Sequence, residues 1–337
     1  MSDPGAHAVP SASNGWPIAL RDVENARARL RAHLRATPGW EYPALNELVG
    51  SGIRVIVKHE NHQPTNSFKV RNGLAAVSAL SRAQRGRGVV AASRGNYGLG
   101  LAYAGAVFGT AVTVCVPRGN NPDKNAGMRS LGAEVLEHGA DYDEAATLAD
   151  RLARERSLTL VHATNNRDVL AGAGTLALEL LEQTTGLDAM IVAIGGGSVA
   201  VGAMAVFRSL RPTTRVYGVQ AAGAATTYQS WRSGKPVPSG PPQTFADGIA
   251  TRGPYAMTYD ALRAGLAGFV TVSDAEIAEA LRTLVRTTHN LVEGAAAAGL
   301  AGLVRLREEL AGQRVAVVLT GSNIDYDTLS RVLRGDL

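Results

Sequence analysis

From residue 50 onward, short apolar runs alternate with stretches of helical periodicity. IRVIV (53–57) reads as a strand and RNGLAAVSALSRA (71–83) as a helix, followed by a strand at VVAAS (89–93) and a helix at YGLGLAYAGAVFG (97–109). AVTVCVP (111–117), the helix KNAGMRSLG (124–132) and the strand AEVLEHG (133–139) continue the series. A second series runs through the amphipathic GTLALELLEQTTG (174–186), the buried-strand run AMIVAIGGG (189–197), the helix VAVGAMAVFRSL (199–210) and the strand RVYGVQ (215–220). SGKPVPSGPPQ (233–243) is the longest loop signal. Beyond it, SDAEIAEALRTLVRTT (273–288) opens with a Ser/Asp cap and a first-turn Glu, EGAAAAGLAGLVRLREEL (293–310) is a strong helix former, and RVAVVLTGSN (314–323) is a strand with a polar end. This alternation predicts an α/β chain of βαβ units in two lobes, with parallel-rich sheets, helices on both faces and a ligand at the carboxyl ends of strands.

Composition narrows the classes. The 337 residues are 45% hydrophobic and 19% charged, a globular balance with length for about two domains. The formal charge of +5 comes from arginines scattered among carboxylates, as in ENARARLRAHLRA, so it reads as solvated helix faces and predicts no nucleic-acid partner. The single cysteine, Cys115, lies in an apolar run and reads as a buried structural thiol. No charged start precedes an apolar stretch and no long apolar run exists, so the expectation is a cytoplasmic protein with no membrane partner.

The chemistry concentrates at three turns that each follow a buried strand: SRGNYG (93–98), GGGS (195–198) and TGSN (320–323). GGGS leads directly into a helix, where free backbone amides can cradle a phosphate. The spacing is not that of a dinucleotide fingerprint, and Lys235, followed by proline, is no Walker lysine. Only four of the 34 basic residues are lysine, namely Lys58, Lys69, Lys124 and Lys235. A lysine kept in so arginine-rich a chain is a candidate for amine chemistry, because a guanidinium cannot form a Schiff base. The pair His59 and His62 beside Glu60 offers no ligand set, so no metal is expected; Lys58 and Lys124 read as structural, and Asp247 as a turn residue, with direct substrate contact as its alternative.

Asn-Ser-Phe-Lys at 66–69, the Asn96 turn, the glycine cup and the hydroxyl-bearing last strand together resemble the fold-type II pyridoxal phosphate enzymes, most closely the serine/threonine dehydratase and serine racemase branch of the tryptophan synthase β family. The resemblance extends to Glu60, Gln63 and Arg71, to the Ala-Gly-x-Gly-Thr-x-Ala-x-Glu-x-x-x-Gln run at 171–183, to Ala-Asp-Gly at 246–248 and to Glu293-Gly294. It implies a large cofactor domain (16–85 and 160–337), a small domain (86–159) carrying the asparagine loop, a disordered N-terminus (1–15) and a homodimer. It also implies that Lys69 carries pyridoxal 5'-phosphate as a Schiff base and then takes the Cα proton. Phe68 would pack on the ring, Asn96 would donate to its 3′-oxygen, and Gly195, Gly196, Gly197 and Ser198 would hold the phosphate. Thr320 would sit at the pyridine nitrogen with Ser322 as a competitor, Gly248 would flank the cofactor, and Glu293 would either shape the ring's surroundings or cap the next helix. Ser93, Arg94, Gly95, Asn96 and Tyr97 would receive the substrate, with Thr65 as a neighbour.

The implied reaction is α,β-elimination from a small L-β-hydroxy amino acid, such as serine or threonine, to a 2-oxo acid and ammonia. A β-replacement synthase is the alternative on the same scaffold. Racemisation is disfavoured, because Arg94 stands where the racemase has a proton-exchanging serine. Arg94 is expected to contact either the amino-acid carboxylate or a second acidic group on the substrate. The usual histidine of the turn is Tyr97, and GVQAAGAATT lacks the acidic residues of the family's divalent site.

Overall fold

The computed structural model describes residues 16–238 and 240–337. The expectation of disorder over 1–15 lies outside the described residues. Ten strands form two sheets: β1 (Gly39–Glu41), β2 (Arg54–Lys58), β3 (Val89–Ala92), β4 (Val112–Val116), β5 (Glu134–Glu137), β6 (Thr159–Leu160), β7 (Ala189–Ala193), β8 (Arg215–Ala221), β9 (Gly268–Val272) and β10 (Arg314–Val318). The first sheet has the order β1-β2-β10-β7-β8-β9 and the second β5-β4-β3-β6. Every pairing of these strands is parallel except β1 with β2. The chain therefore starts the six-stranded sheet, builds the four-stranded one, and returns.

Parallel strands covered by helices on both faces must be apolar on both, and β10 shows how. Its Val315 and Val317 join one buried cluster, while Ala316 and Val318 join the other. In β3, Val89 and Ala91 enter the same cluster as Ala316, whereas Val90 and Ala92 pack on the far side with Cys115. One core is thus continuous between the two sheets. Burial raises the Cys115 thiol to about 11, in keeping with an inert structural group.

Two helices bridge that core, Lys69–Ala79 and Asn96–Phe108. They touch backbone to backbone: a Cβ on Gly73 would lie 2.2 Å from the Gly100 carbonyl oxygen, and one on Gly100 would lie 2.4 Å from that of Lys69. Nothing larger than glycine fits at either position, so the two helix starts are held in a fixed relation.

Element boundaries differ from the sequence reading where side chains intervene. The helix expected over 71–83 starts at Lys69 and stops at Ala79, because Ser81 caps a separate helix, Arg82–Arg87, through a reciprocal bond pair with Gln84. The helix expected over 293–310 ends at Arg305. The helix Asp274–Thr288 opens as read, with Ser273 and Glu276 forming a capping box. Strand β9 and the helix Leu20–Leu30 lay outside the elements read from the sequence. No helix among the described residues is long and apolar enough to cross a membrane.

Candidate active site

The segment before Lys69 is clamped to the end of β10. Ser67 and Gly321 form an antiparallel bridge, the Phe68 amide donates to the Thr320 carbonyl (3.0 Å), and the Ser322 amide donates to the Asn66 carbonyl (2.9 Å). This seam sets the first residue of the Lys69 helix beside Thr320. Both open onto a cavity of about 840 Å³ that Phe68, Asn96, Gly195, Gly196, Gly197, Ser198, Gly248 and Glu293 also line. The Lys69 ammonium lies 4.8 Å from the centre of the Phe68 ring. Burial lowers its pKa to about 8, against the opposing pull of the Glu293 carboxylate.

Beneath this helix the motif residues around Lys69 join in one buried network. Arg71 donates to Glu60 (2.7 and 2.8 Å) and to both oxygens of Glu179 (2.7 and 2.7 Å). Lys58 completes it through Glu179 (2.7 Å), the Thr37 carbonyl (2.6 Å) and Gln183 (3.1 Å). Two cations and two carboxylates thus satisfy one another away from water, which anchors the lysine-bearing helix.

Asn96 begins the second bridging helix and joins a polar chain. Its amide nitrogen donates to both oxygens of Glu293 (2.8 and 3.0 Å), and its carbonyl oxygen accepts from Asn323 (2.7 Å). Glu293 stands at the N-cap of the helix Gly294–Arg305 but makes no capping bond, so its side chain serves the cavity. Burial raises its pKa, opposed mainly by the Asn96 bond.

The residues fit a phosphorylated pyridine aldehyde. The amides of Gly195, Gly196, Gly197 and Ser198 make no hydrogen bond within the described residues and sit at the start of the helix Ser198–Leu210, a ready anion cradle. Glycine is required in that cradle, since a Cβ on Gly196 would lie 2.1 Å from the Thr164 hydroxyl and one on Gly195 would lie 2.6 Å from the Gly248 carbonyl. The Thr320 hydroxyl is buried with no partner among the described residues, as expected of a group reserved for a ligand atom.

The other expected residues divide. Arg94, Gly95 and Tyr97 line the cavity, as does Ser93, whose hydroxyl closes the turn by accepting from the amides of Gly95 (3.2 Å) and Gly98 (2.8 Å). The Tyr97 hydroxyl donates to the Val161 carbonyl (3.2 Å). Thr65 faces an adjoining pocket of about 350 Å³ instead, and Ser322 lines neither space. Lys124, read as structural, lines both: its ammonium pairs with Asp247 (2.9 Å), because the helix Pro122–Ser130 packs over the loop that carries Gly95. Asp247 is accordingly more than a turn residue. His59 and His62 stack with centres 4.8 Å apart, and no group of three potential metal ligands exists among the described residues.

Among the residues outside the sequence reading, His162 and Arg252 line the cavity, while Asn323 lines the adjoining pocket and donates to Asn96. Asn323 lay within the quoted TGSN turn without a role. His162 follows β6 at a strand end of the same kind, which could have marked it. Its Nδ1 accepts from the amides of Thr164 and Asn165 (both 2.9 Å), so the proton resides on Nε2, and burial lowers its pKa. Arg252 pairs with Asp141 (2.7 Å) and Asp143 (3.3 Å), and no local signal marks that contact.

A desolvated lysine, an amide cradle for phosphate and a lone buried hydroxyl, all at the carboxyl ends of strands in a two-lobed α/β fold, define a pyridoxal phosphate enzyme of fold type II. The chain belongs to the pyridoxal-phosphate dependent enzyme family, whose model matches residues 30–321. It is 33% identical to an L-threonine ammonia-lyase of Thermotoga maritima over 95% of this chain and 79% of that one. It is 35% identical to an L-threo-3-hydroxyaspartate ammonia-lyase of a Pseudomonas species over 93% and 98%. Among solved structures, a threonine deaminase from T.th. superposes with a TM-score of 0.86 at 33% identity, covering 92% of this chain and 99% of that one. Maize serine racemase gives 0.89 at 25% identity, covering 94% and 97%. The chain is a pyridoxal phosphate-dependent ammonia-lyase of the serine/threonine dehydratase branch.

Proposed function

We propose that the cavity removes the β-hydroxyl of a small L-β-hydroxy amino acid, with Lys69 as the group that moves the Cα proton. The observation that carries this reading is the pairing of a lysine of pKa about 8 with the partnerless Thr320 hydroxyl in one cavity. Pyridoxal phosphate, when bound, supplies an electron sink for the pair left at Cα. Lys69 would hold it, Gly195 to Ser198 would bind its phosphate through backbone amides, Thr320 would face its ring nitrogen, and Phe68 would lie against the ring. Thr320 brings a neutral hydroxyl and no carboxylate to that nitrogen.

The amides of Asn96 and Tyr97, at the start of their helix and without acceptors among the described residues, would receive the substrate α-carboxylate. With the carboxylate fixed, the Lys69 amine accepts the Cα proton as the Cα–H bond breaks. The Cβ–O bond then breaks, and the hydroxyl leaves as water with one proton, which balances the one that Lys69 took from Cα. The released enamine tautomerises to an imine, which water converts to a 2-oxo acid and ammonia. No redox partner is needed. At the position of Arg94 the loop offers no proton exchanger for racemisation, since a guanidinium keeps its protons, and the Tyr97 hydroxyl is committed to Val161.

The test is 2-oxo acid release by holoenzyme from L-serine, L-threonine, threo-3-hydroxyaspartate and phenylserine, with Lys69→Ala as control. Release that disappears in the control is expected. Cofactor-loaded enzyme that releases nothing from any of the four would remove the reading and favour β-replacement.

A further inference from the structure

Among the described residues the charged side chains lining the cavity are paired off, except for Lys69, which is reserved for the cofactor, and Arg94. Lys124 holds Asp247 at 2.9 Å, Arg252 holds Asp141 and Asp143 at 2.7 and 3.3 Å, and Glu293 takes the Asn96 amide. Arg94, between Ser93 and Gly95, lines the same cavity, is exposed, and makes no hydrogen bond or ion pair with any described residue. Each lining carboxylate already has its own partner, so none is left for Arg94 to neutralise. The α-carboxylate has its own receptor in the Asn96 and Tyr97 amides, which leaves the guanidinium surplus to binding the amino-acid part of a substrate.

We propose that Arg94 is a specificity residue that receives a second carboxylate, carried on the β-carbon, and that the preferred substrates are β-hydroxy amino acids with an anionic side chain. The inference rests on the elimination reading above. A planar guanidinium can grip a carboxylate through two parallel hydrogen bonds, whereas a methyl or hydrogen at the same place offers it nothing. The reaction balances as before: Cα–H and Cβ–OH break, water leaves, and hydrolysis yields ammonia and a 2-oxo diacid.

The experiment compares kcat and KM of wild-type, Arg94→Gln and Arg94→Lys holoenzyme on threo-3-hydroxyaspartate and on L-serine. Spectral titration of the bound cofactor with each ligand supplies binding constants independent of turnover. The wild type is expected to favour the acidic substrate. Arg94→Gln should reduce the ratio of kcat/KM, acidic over neutral, by about 10- to 100-fold, mostly through KM, as befits a charge-assisted hydrogen bond. Arg94→Lys should recover part of the ratio, as a point charge without the fork. A ratio left unchanged by Arg94→Gln overturns the proposal, since the guanidinium would then serve the α-carboxylate or the loop. A wild type without turnover refutes the elimination reading separately, and the titration still decides Arg94: equal binding of both ligands before and after substitution overturns it.

Discussion

The depressed pKa of Lys69 yields a measurable reactivity. An ordinary lysine near 10.5 is about 0.03% free amine at pH 7, whereas one at about 8 is roughly 10% free, a gain of about 300-fold in nucleophile. The drop from 10.5 to about 8 corresponds to roughly 3 kcal/mol of preference for the neutral amine. Burial supplies it, and the Glu293 carboxylate works against it. Apoenzyme pulsed with a trace amine-acylating reagent across the neutral to alkaline range, with labelling at Lys69 read by peptide mass, should titrate near pH 8, while an unstructured lysine peptide in the same tube titrates near 10.5. In Glu293→Gln the Lys69 midpoint should move lower still, because the charge that raises it has gone. A Lys69 profile that overlays the peptide, or an upward shift in Glu293→Gln, would refute the claim that desolvation tunes this amine. Glu293→Gln also alters the bond to Asn96, so the direction of the shift, not retained activity, is the criterion.

Further outcomes follow from the packing. Arg71→Met leaves Glu60 and Glu179 buried with Lys58 as their remaining cation, and should cost about 3–5 kcal/mol in urea unfolding; a loss below about 1 kcal/mol would show the network to be dispensable. Burial raises the Glu60 pKa but the Arg71 charge and bonds outweigh it, so its folded pKa is lowered; the stabilisation is present above the ordinary carboxylate range and is lost as pH falls through the folded value, an acid limb that Arg71→Met should flatten. Gly100→Ala places a methyl 2.4 Å from the Lys69 carbonyl, which should lower stability by about 1–3 kcal/mol and reduce kcat by separating Lys69 from Asn96; unchanged kcat with normal cofactor content would count against that coupling. Thr320→Val removes a buried hydroxyl that has no partner among the described residues, so the apoenzyme should gain up to about 1 kcal/mol while cofactor affinity falls; a destabilised apoenzyme would mean the hydroxyl is satisfied after all.

What was legible in the chain was what is local. Lys69, the Gly195–Ser198 turn and the polar end of β10 each announce themselves within a few residues, because strand, turn and helix start are encoded by adjacent positions. Pairings made by folding were not. Lys124 reaches Asp247 across 123 residues and looked structural because nothing near it in sequence reports the cavity it enters. Arg252 reaches Asp141 across 111 residues in the same silence. Strand β9 went unread although Gly265 and Gly268 punctuate the chain before and at its start, because the half-exposed GFVTV does not alternate cleanly between apolar and polar. Glu293 was ambiguous for a related reason, since N-cap position is visible in sequence whereas the choice between capping an amide and turning inward to Asn96 depends on a residue 197 positions away.

The division between local and distant information has a physical origin in how the site is built. β3, β6, β7 and β10, two strands from each sheet, deliver 93–97, 162, 195–198 and 320 to one cavity, so each strand end can carry its own chemistry while the sheets supply the alignment. The alignment itself rests on the Gly73–Gly100 crossing, where the lysine helix and the asparagine helix approach to backbone contact. Glycine there encodes proximity through the absence of a side chain. A reader of the sequence sees only two more glycines in a chain with 38 of them, although their spacing decides whether Lys69 and Asn96 can serve the same substrate.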